Sequence, residues 1–228
     1  MCFFMTVEHD IRFVGYDFDG TLMRHPSGGH LWCNIYKKTS GGIALRDELR
    51  REHRAGRLTY ERWTEITMEL FRAESISQHV LHSIARELVF VPGAYEALQY
   101  VAAAGVPQAL ISETLDFAVE IHLKDIPFSA IHTNRMHFRS DGTIDRMELT
   151  PYREQFKADG LRTAAEAHGV SMKNVAYFGD GLNDRWALKQ AGYGIAVCPE
   201  DPIVAQSAKL IVHDSRDALP FILPRGSG

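Results

Sequence analysis

Cysteine is scarce in this chain and follows no pattern. Cys2, Cys33 and Cys198 stand far apart without CxxC spacing, which excludes a disulfide framework and the common zinc and redox motifs. No run is long and apolar enough to span a bilayer. The stretch Met1 to Met5 is apolar, but it lacks a basic flank and gives way to Glu8, His9, Asp10 and Arg12, so it does not read as a signal peptide. An excess of one charge is missing too. A net charge of -4 and a pI near 6.3 give no broad electrostatic reason to bind nucleic acid or an anionic membrane, although a local basic pocket stays open. There is no internal repeat and no low-complexity tract. These absences lead to the expectation of a reduced, cytoplasmic protein, monomer or homodimer, whose last residues from Leu223 to Gly228 resemble a protease-site remnant or an added tail as much as native sequence and are assigned no function.

What the sequence does have is material for a core: 228 residues, 45% of them hydrophobic. Arg12 to Asp17 is a short apolar run ending in acidic and glycine residues, which predicts a buried strand feeding a loop. Pro26 to His30 reads as a loop. Three segments of helical composition follow, Gly42 to Ala55, Thr59 to Ala73 and Ile76 to Leu88, with Trp63, Ile66, Leu70 and Phe71 at helical spacing in the second. From Pro92 on, helices alternate with short apolar runs: helix 93–104, strand 108–112, helix 115–124, strand 130–133, helix from Lys157 to near Gly169, strand 174–178, helix 184–190, strands 193–197 and 210–212. That alternation predicts an α/β fold, a Rossmann-like parallel-sheet core with helices on both faces. A small helical cap would be inserted after the first strand, giving a discontinuous core of 1–23 and 91–228 and a cap of 24–90. Residues 135–148 interrupt the pattern with Asp141-Gly142 between alternating stretches, a hairpin signature whose role is either a dimer contact or an elaboration of the core.

In open parallel sheets ligands bind outside the carboxyl ends of the strands. Asp17-Phe18-Asp19-Gly20-Thr21 stands at the end of the first predicted strand, Ser112 at the end of the second, and Gly179-Asp180-Gly181-Leu182-Asn183-Asp184 at a later one. Lys157 begins a helix between them. Asp17 and Asp19, two residues apart, point the same way on extended backbone, so one carboxylate can attack while the other handles a proton. A hard divalent cation such as Mg²⁺ takes oxygen ligands, and Asp180 or Asp184 would bring a further carboxylate to it. Lys157, Ser112 and backbone amides would offer positive charge and donors to a phosphate. Taken singly each piece has a plainer reading: Asp-Gly pairs as turns, Ser112 as a helix N-cap, Lys157 as a solvated charge. Their order, at the ends of separate strands, argues for a site.

As a set these residues resemble the haloacid dehalogenase superfamily, whose phosphatases carry Asp-x-Asp-x-Thr, then Ser or Thr, then Lys, then Gly-Asp-x-x-x-Asp. The helical block and Val91-Pro92-Gly93-Ala94 resemble the phosphoserine phosphatase-like branch. The resemblance implies an Mg²⁺-dependent phosphatase acting on a small phosphorylated metabolite through an aspartyl-phosphate. Asp17 would be the nucleophile and Asp19 the general acid and base. Asp17, the Asp19 carbonyl and Asp180 would hold the metal, with Asn183 and Asp184 ordering water or the loop around them. Ser112 and Lys157 would grip the phosphoryl group. The same aspartyl-phosphate also allows a phosphotransferase, and a silent binding module is the reading from another class.

The chain departs from the phosphoserine enzymes in two places, after Asp19 and after Ser112, where Glu113 and Thr114 stand instead of the small residues those enzymes favour. Gly20 follows Asp19 where they usually have Ser, and Arg24-His25-Pro26 stands where a cap Glu is expected. Glu113, beside Ser112 at the phosphate site, would pair with the ammonium of an amine-bearing substrate such as phosphoserine, phosphoethanolamine or phosphocholine. Its other reading is a helix N-terminal acid favoured by the dipole. Trp32, Tyr36, Tyr60, Trp63 and Phe71 would line a pocket or pack the cap. Arg57, Arg62 and Arg72 would reach a second anionic group or lie solvated.

Overall fold

β1 (Phe13–Tyr16) is buried along its whole length. Because side chains alternate across a strand, Phe13 joins one apolar cluster while Val14 and Tyr16 join another. A strand buried on both faces belongs inside a sheet covered by helices on each side. The computed structural model, which describes residues 10–223, places it there.

After β1 come β2 (Met23–Arg24), α1 (Leu31–Tyr36), α2 (Gly42–Arg54), α3 (Tyr60–Ala73), α4 (Gln78–Arg86) and β3 (Val89–Phe90). The chain continues through α5 (Ala94–Ala103), β4 (Gln108–Leu115), α6 (Asp116–Leu123), β5 (Phe128–Phe138), β6 (Ile144–Glu148) and α7 (Lys157–Glu166). It ends with β7 (Val175–Gly179), α8 (Arg185–Gln190), β8 (Tyr193–Val197), α9 (Pro202–Ser207), β9 (Leu210–Val212) and α10 (Leu219–Ile222). The seven-stranded sheet runs β6-β5-β4-β1-β7-β8-β9, and every pairing is parallel except the β5–β6 hairpin. The expected α/β fold is the one observed.

Leu161 of α7, Leu188 of α8 and Val204 of α9 pack with Phe13, Ile111 and Tyr177 on one face. On the other, Leu98 of α5, Phe117 of α6 and Ile222 of α10 pack with Val14, Leu110 and Phe178. Ile35, Phe71 and Leu81 from the helices between β2 and β3 belong to this second cluster, so the inserted helices share the sheet's apolar core. Their starts are set locally: Thr59 accepts from the Arg62 amide ahead of α3, and Ser77 from the Val80 amide ahead of α4. Such caps contribute about 1 kcal/mol each. The hairpin braces the same helices, since Gln78 N donates to Gly142 O at 2.9 Å and Arg72 donates to the Ile144 and Asp145 carbonyls. Its turn closes as expected, with Thr143 donating to Asp141 through both its amide and its hydroxyl.

The structure departs from the sequence expectations in places that matter for the site. β4 does not stop at Ser112 but runs to Leu115, and its register with β5 jumps from Ile111↔His132 to Leu115↔Asn134. Ser112, Glu113 and Thr114 therefore bulge out of the ladder. Because α6 starts at Asp116, Ser112 is not an N-cap and Glu113 is not a helix N-terminal acid. Short α1 and the β2–β3 pair follow from no periodicity in the sequence. Among the described residues no helix is long and apolar enough to cross a membrane. The N-terminal apolar stretch, Cys2 and the tail from Pro224 onward lie outside the described residues.

Candidate active site

From β1 the chain leads to β4 on one side and later to β7 on the other, which opens a crevice at the carboxyl ends of these strands. Asp17 follows β1 there, and its amide donates to Phe178 O at 2.9 Å, tying it to the neighbouring strand. The turn that follows needs Gly20. Its φ is +86°, and a β-carbon at that position would lie 2.1 Å from Asp180 Oδ2. The absence of a side chain lets the first loop meet the loop after β7, and Thr21 Oγ1 fixes the contact by donating to Asp180 Oδ1 at 2.9 Å.

Lys157 is fully buried at the start of α7, and its Nζ donates to Asp17 Oδ1 at 2.7 Å and Asp184 Oδ1 at 2.8 Å. A solvated lysine is thus excluded at this position. An ammonium has three donors, so one stays available for a ligand. Burial alone would lower the Lys157 pKa, but Asp17 and Asp184 outweigh it and move it upward. Asp184 accepts from Lys157, from Tyr177 Oη at 2.8 Å, and from the Asp180 and Gly181 amides at 3.2 and 2.9 Å. A carboxylate has about four acceptor positions, so Asp184 is fully engaged in shaping the loop. Asp19, less buried, accepts from the Leu31 amide at 3.1 Å. Ser112 is buried, and its Oγ accepts from the Thr114 amide at 3.2 Å.

Side-chain oxygens of Asp17, Asp180 and Asp184 lie within 4.8 Å of one another. With Asp19 beside them and Lys157 as the cation in their midst, the group carries more negative charge than it neutralises. Burial first, partly offset by Lys157 and reinforced by Asp184, pushes the Asp17 pKa up to about 7. Burial, then Asp17 and Asp184, holds Asp180 well above the ordinary carboxylate range. A hard divalent cation relieves that strain, and since Asp184 has no free acceptor, Asp17 and Asp180 are the carboxylates that could hold it.

The crevice opens into a cavity of about 670 Å³, lined below by Asp17, Asp19, Ser112, Glu113, Asp180 and Asn183. Ser112 and Asp180 thus share one cavity with the two N-terminal carboxylates, while Lys157 and Asp184 sit beneath them. Glu113 lines it without being free: its Oε1 accepts from Glu154 N at 2.8 Å and Asn183 Nδ2 at 3.2 Å. A carboxylate is an acceptor, so phosphate contact at Glu113 would come from its backbone rather than its side chain.

The upper wall comes from the inserted helices and holds residues that no motif marks. Trp32 and Trp63 line it with their N–H groups already used, by Glu113 O and Tyr36 Oη. Phe71 is a core residue. The three arginines picked out in the sequence are occupied elsewhere: Arg57 pairs with Glu52, Arg62 with Glu65, and Arg72 with the hairpin carbonyls. The arginines that reach the cavity are Arg46, Arg50 and Arg54 of α2, together with Arg185 of α8, whose guanidinium stacks on Trp186 at 3.8 Å. Thr114 also lines it, with a buried hydroxyl that has no partner among the described residues.

The family model of haloacid dehalogenase-like hydrolases matches residues 14–189. A phosphoserine phosphatase of Methanocaldococcus jannaschii is 22% identical over 95% of this chain and 100% of its own. One from Idiomarina loihiensis is 26% identical over 83% of each. Among solved structures, a phospho-aspartyl intermediate analogue of phosphoserine phosphatase superposes with a TM-score of 0.72 at 22% identity, over 93% of this chain and 99% of that one.

Proposed function

The chain belongs to the haloacid dehalogenase-like hydrolase family, and from that premise we propose that it is an Mg²⁺-dependent phosphatase hydrolysing a small phosphoric monoester through an aspartyl-phosphate on Asp17. The observation that carries this reading is the shared cavity. Asp17, gripped by buried Lys157, lines it together with Asp19, whose own anchor is the Leu31 amide on a different element. One carboxylate is held in place for attack and a second is held apart from it for proton transfer.

In the first step an Asp17 oxygen bonds to phosphorus while the bond from phosphorus to the ester oxygen breaks, and Asp19 gives that leaving oxygen its proton. In the second step Asp19 takes a proton from water as the water oxygen attacks the same phosphorus, which frees inorganic phosphate and restores the Asp17 carboxylate. Ser112 and the spare Lys157 donor hold the phosphoryl oxygens. Asp17, the Asp19 carbonyl and Asp180 would hold Mg²⁺, which when bound supplies positive charge against the clustered carboxylates and the phosphate. Asp184 and Asn183 keep the loop after β7 in shape. The helical segment 24–90 acts as the cap that excludes bulk water from the core, which, among the described residues, 10–23 and 91–223 form.

Kinship with phosphoserine phosphatases supports the reaction class. It does not carry the serine part of the substrate, because the Glu113 side chain expected to read an ammonium is already bonded to Asn183 and the Glu154 amide. Phosphate release from a panel of small phosphomonoesters, with Mg²⁺, with EDTA and with Asp17→Asn, tests the reading. Release that both controls abolish is expected. Release that survives Asp17→Asn removes the proposed nucleophile, and phosphate passed mainly to added alcohols instead of water makes the enzyme a phosphotransferase.

A further inference from the structure

On α2, Arg46, Arg50 and Arg54 are spaced four residues apart and so lie along one helix face, and all three line the cavity whose floor carries Asp17. Like charges at this spacing destabilise a helix. The protein does little to offset them. Arg46 has only its chain neighbour Asp47, at 3.2 Å, while Arg50 and Arg54 have no ion pair or side-chain hydrogen bond among the described residues. Arg46 is nonetheless only 14% exposed in its side chain, so this charge is withdrawn from water as well as poorly paired. Burial, followed by the charges of Arg54 and Arg46, lowers the Arg50 pKa. None of the cavity's acidic groups is paired with Arg50 or Arg54: Glu154 bonds His53 Nε2 at 2.7 Å, Glu113 accepts from Asn183 and the Glu154 amide, Asp17 from Lys157, Asp19 from the Leu31 amide and Asp180 from Thr21. Unpartnered Thr114 Oγ1 adds a polar group to the same cavity.

We propose that the substrate carries a second phosphate, remote from the ester that is cleaved, and that Arg46, Arg50 and Arg54 bind it. The assignment rests on the floor being the site of phosphoryl transfer. A phosphate matches the row better than a carboxylate does: it brings up to two negative charges and three terminal oxygens, enough to engage guanidinium groups from successive helical turns. It also accounts for the unpaired row, because the ligand supplies the countercharge that the protein omits.

The test uses the Mg²⁺-loaded full chain and α,ω-alkanediol phosphates of increasing length, each as the monophosphate, the bisphosphate and the ω-carboxylate monophosphate. At one chain length the bisphosphate is expected to exceed its monophosphate in kcat/KM by about tenfold or more. That preference should collapse in Arg50→Gln and Arg54→Gln, mainly through KM, and return in part in Arg50→Lys. Equal values at every length, or a preference that survives both glutamine variants, would overturn the second phosphate while leaving the phosphatase reading intact. A carboxylate that serves as well as the phosphate would overturn it too. If no compound releases phosphate, the reading of the floor fails by itself, and calorimetric binding of the same compounds decides the roof: tighter bisphosphate binding that depends on Arg50 supports the proposal, and indifference ends it.

Discussion

On the floor of the cavity, Lys157 is buried between two carboxylates, and Asp184 accepts from four donors. On the roof, Arg50 and Arg54 face the same cavity with no ion pair among the described residues. The two regions hold charge for different reasons. The floor binds its charges to one another because the reacting groups must stay in one geometry through both steps, whereas the roof leaves its charges open for a partner that arrives and departs. Loss of the floor's cation, Lys157, should therefore harm both folding and activity, and substitutions on the roof should spare folding.

The largest effect falls on Asp17. Asp17→Asn is expected to lower phosphate release by at least about 10⁴-fold, as loss of a covalent nucleophile does elsewhere. Steady-state kinetics on the preferred substrate would show it, and a loss under tenfold would dissolve the contrast. Next is Lys157→Met, which strands Asp17 and Asp184 in a buried site. Breaking such a network costs about 3–5 kcal/mol, seen in urea unfolding as a lower midpoint.

The third prediction concerns pH. Folded Asp17 holds its proton up to about 7, against 3.8 for the unperturbed group. Between those values the folded state binds more protons than the unfolded chain, so the stability this group contributes is full below about 3.8 and is lost as pH rises through about 7. A divalent cation competes with that proton. The rise in melting temperature on adding Mg²⁺ to the metal-free protein should be greater at pH about 8 than at about 5, and a rise that ignores pH would contradict a metal site at these carboxylates.

The roof supplies the smallest effect. Arg50→Gln removes a like charge from α2, and the stability of the ligand-free protein should hold or rise by up to about 0.5 kcal/mol. A loss above about 1 kcal/mol would mean that Arg50 braces the fold, and the distinction between floor and roof would fail there.

That distinction also explains what was legible in the sequence. Asp17, Asp19, Asp180 and Asp184 stand in short loops after strands, where local sequence fixes both the strand and the turn, so their meeting at one crevice follows from a parallel sheet. Lys157 and Ser112 are legible through their order along the chain. The roof depends on how α2 is rotated against the core. Helical period says that Arg46, Arg50 and Arg54 share a face, but packing decides which face meets the cavity; the sequence offers Arg57, Arg62 and Arg72 either as anion contacts or as solvated charges, and carboxylates and carbonyls occupy them. Glu113 was misplaced for a related reason. Its setting depends on the register jump between β4 and β5 and on the approach of Asn183 and Glu154, long-range contacts that no local pattern records. α1, with six residues after a Gly/Pro/Ser-rich loop, is too short to show a period, although its first amide holds Asp19.

The most direct test is to trap the intermediate. A phosphoryl-labelled substrate is mixed with the Mg²⁺-loaded enzyme, quenched in acid within a turnover and digested, and the labelled peptide is sequenced by mass spectrometry. Label on Asp17 that chases into inorganic phosphate, and that is absent from Asp17→Asn, is the predicted result. Turnover with no protein-bound phosphoryl group, or with the label on another residue, would contradict the mechanism at its first step.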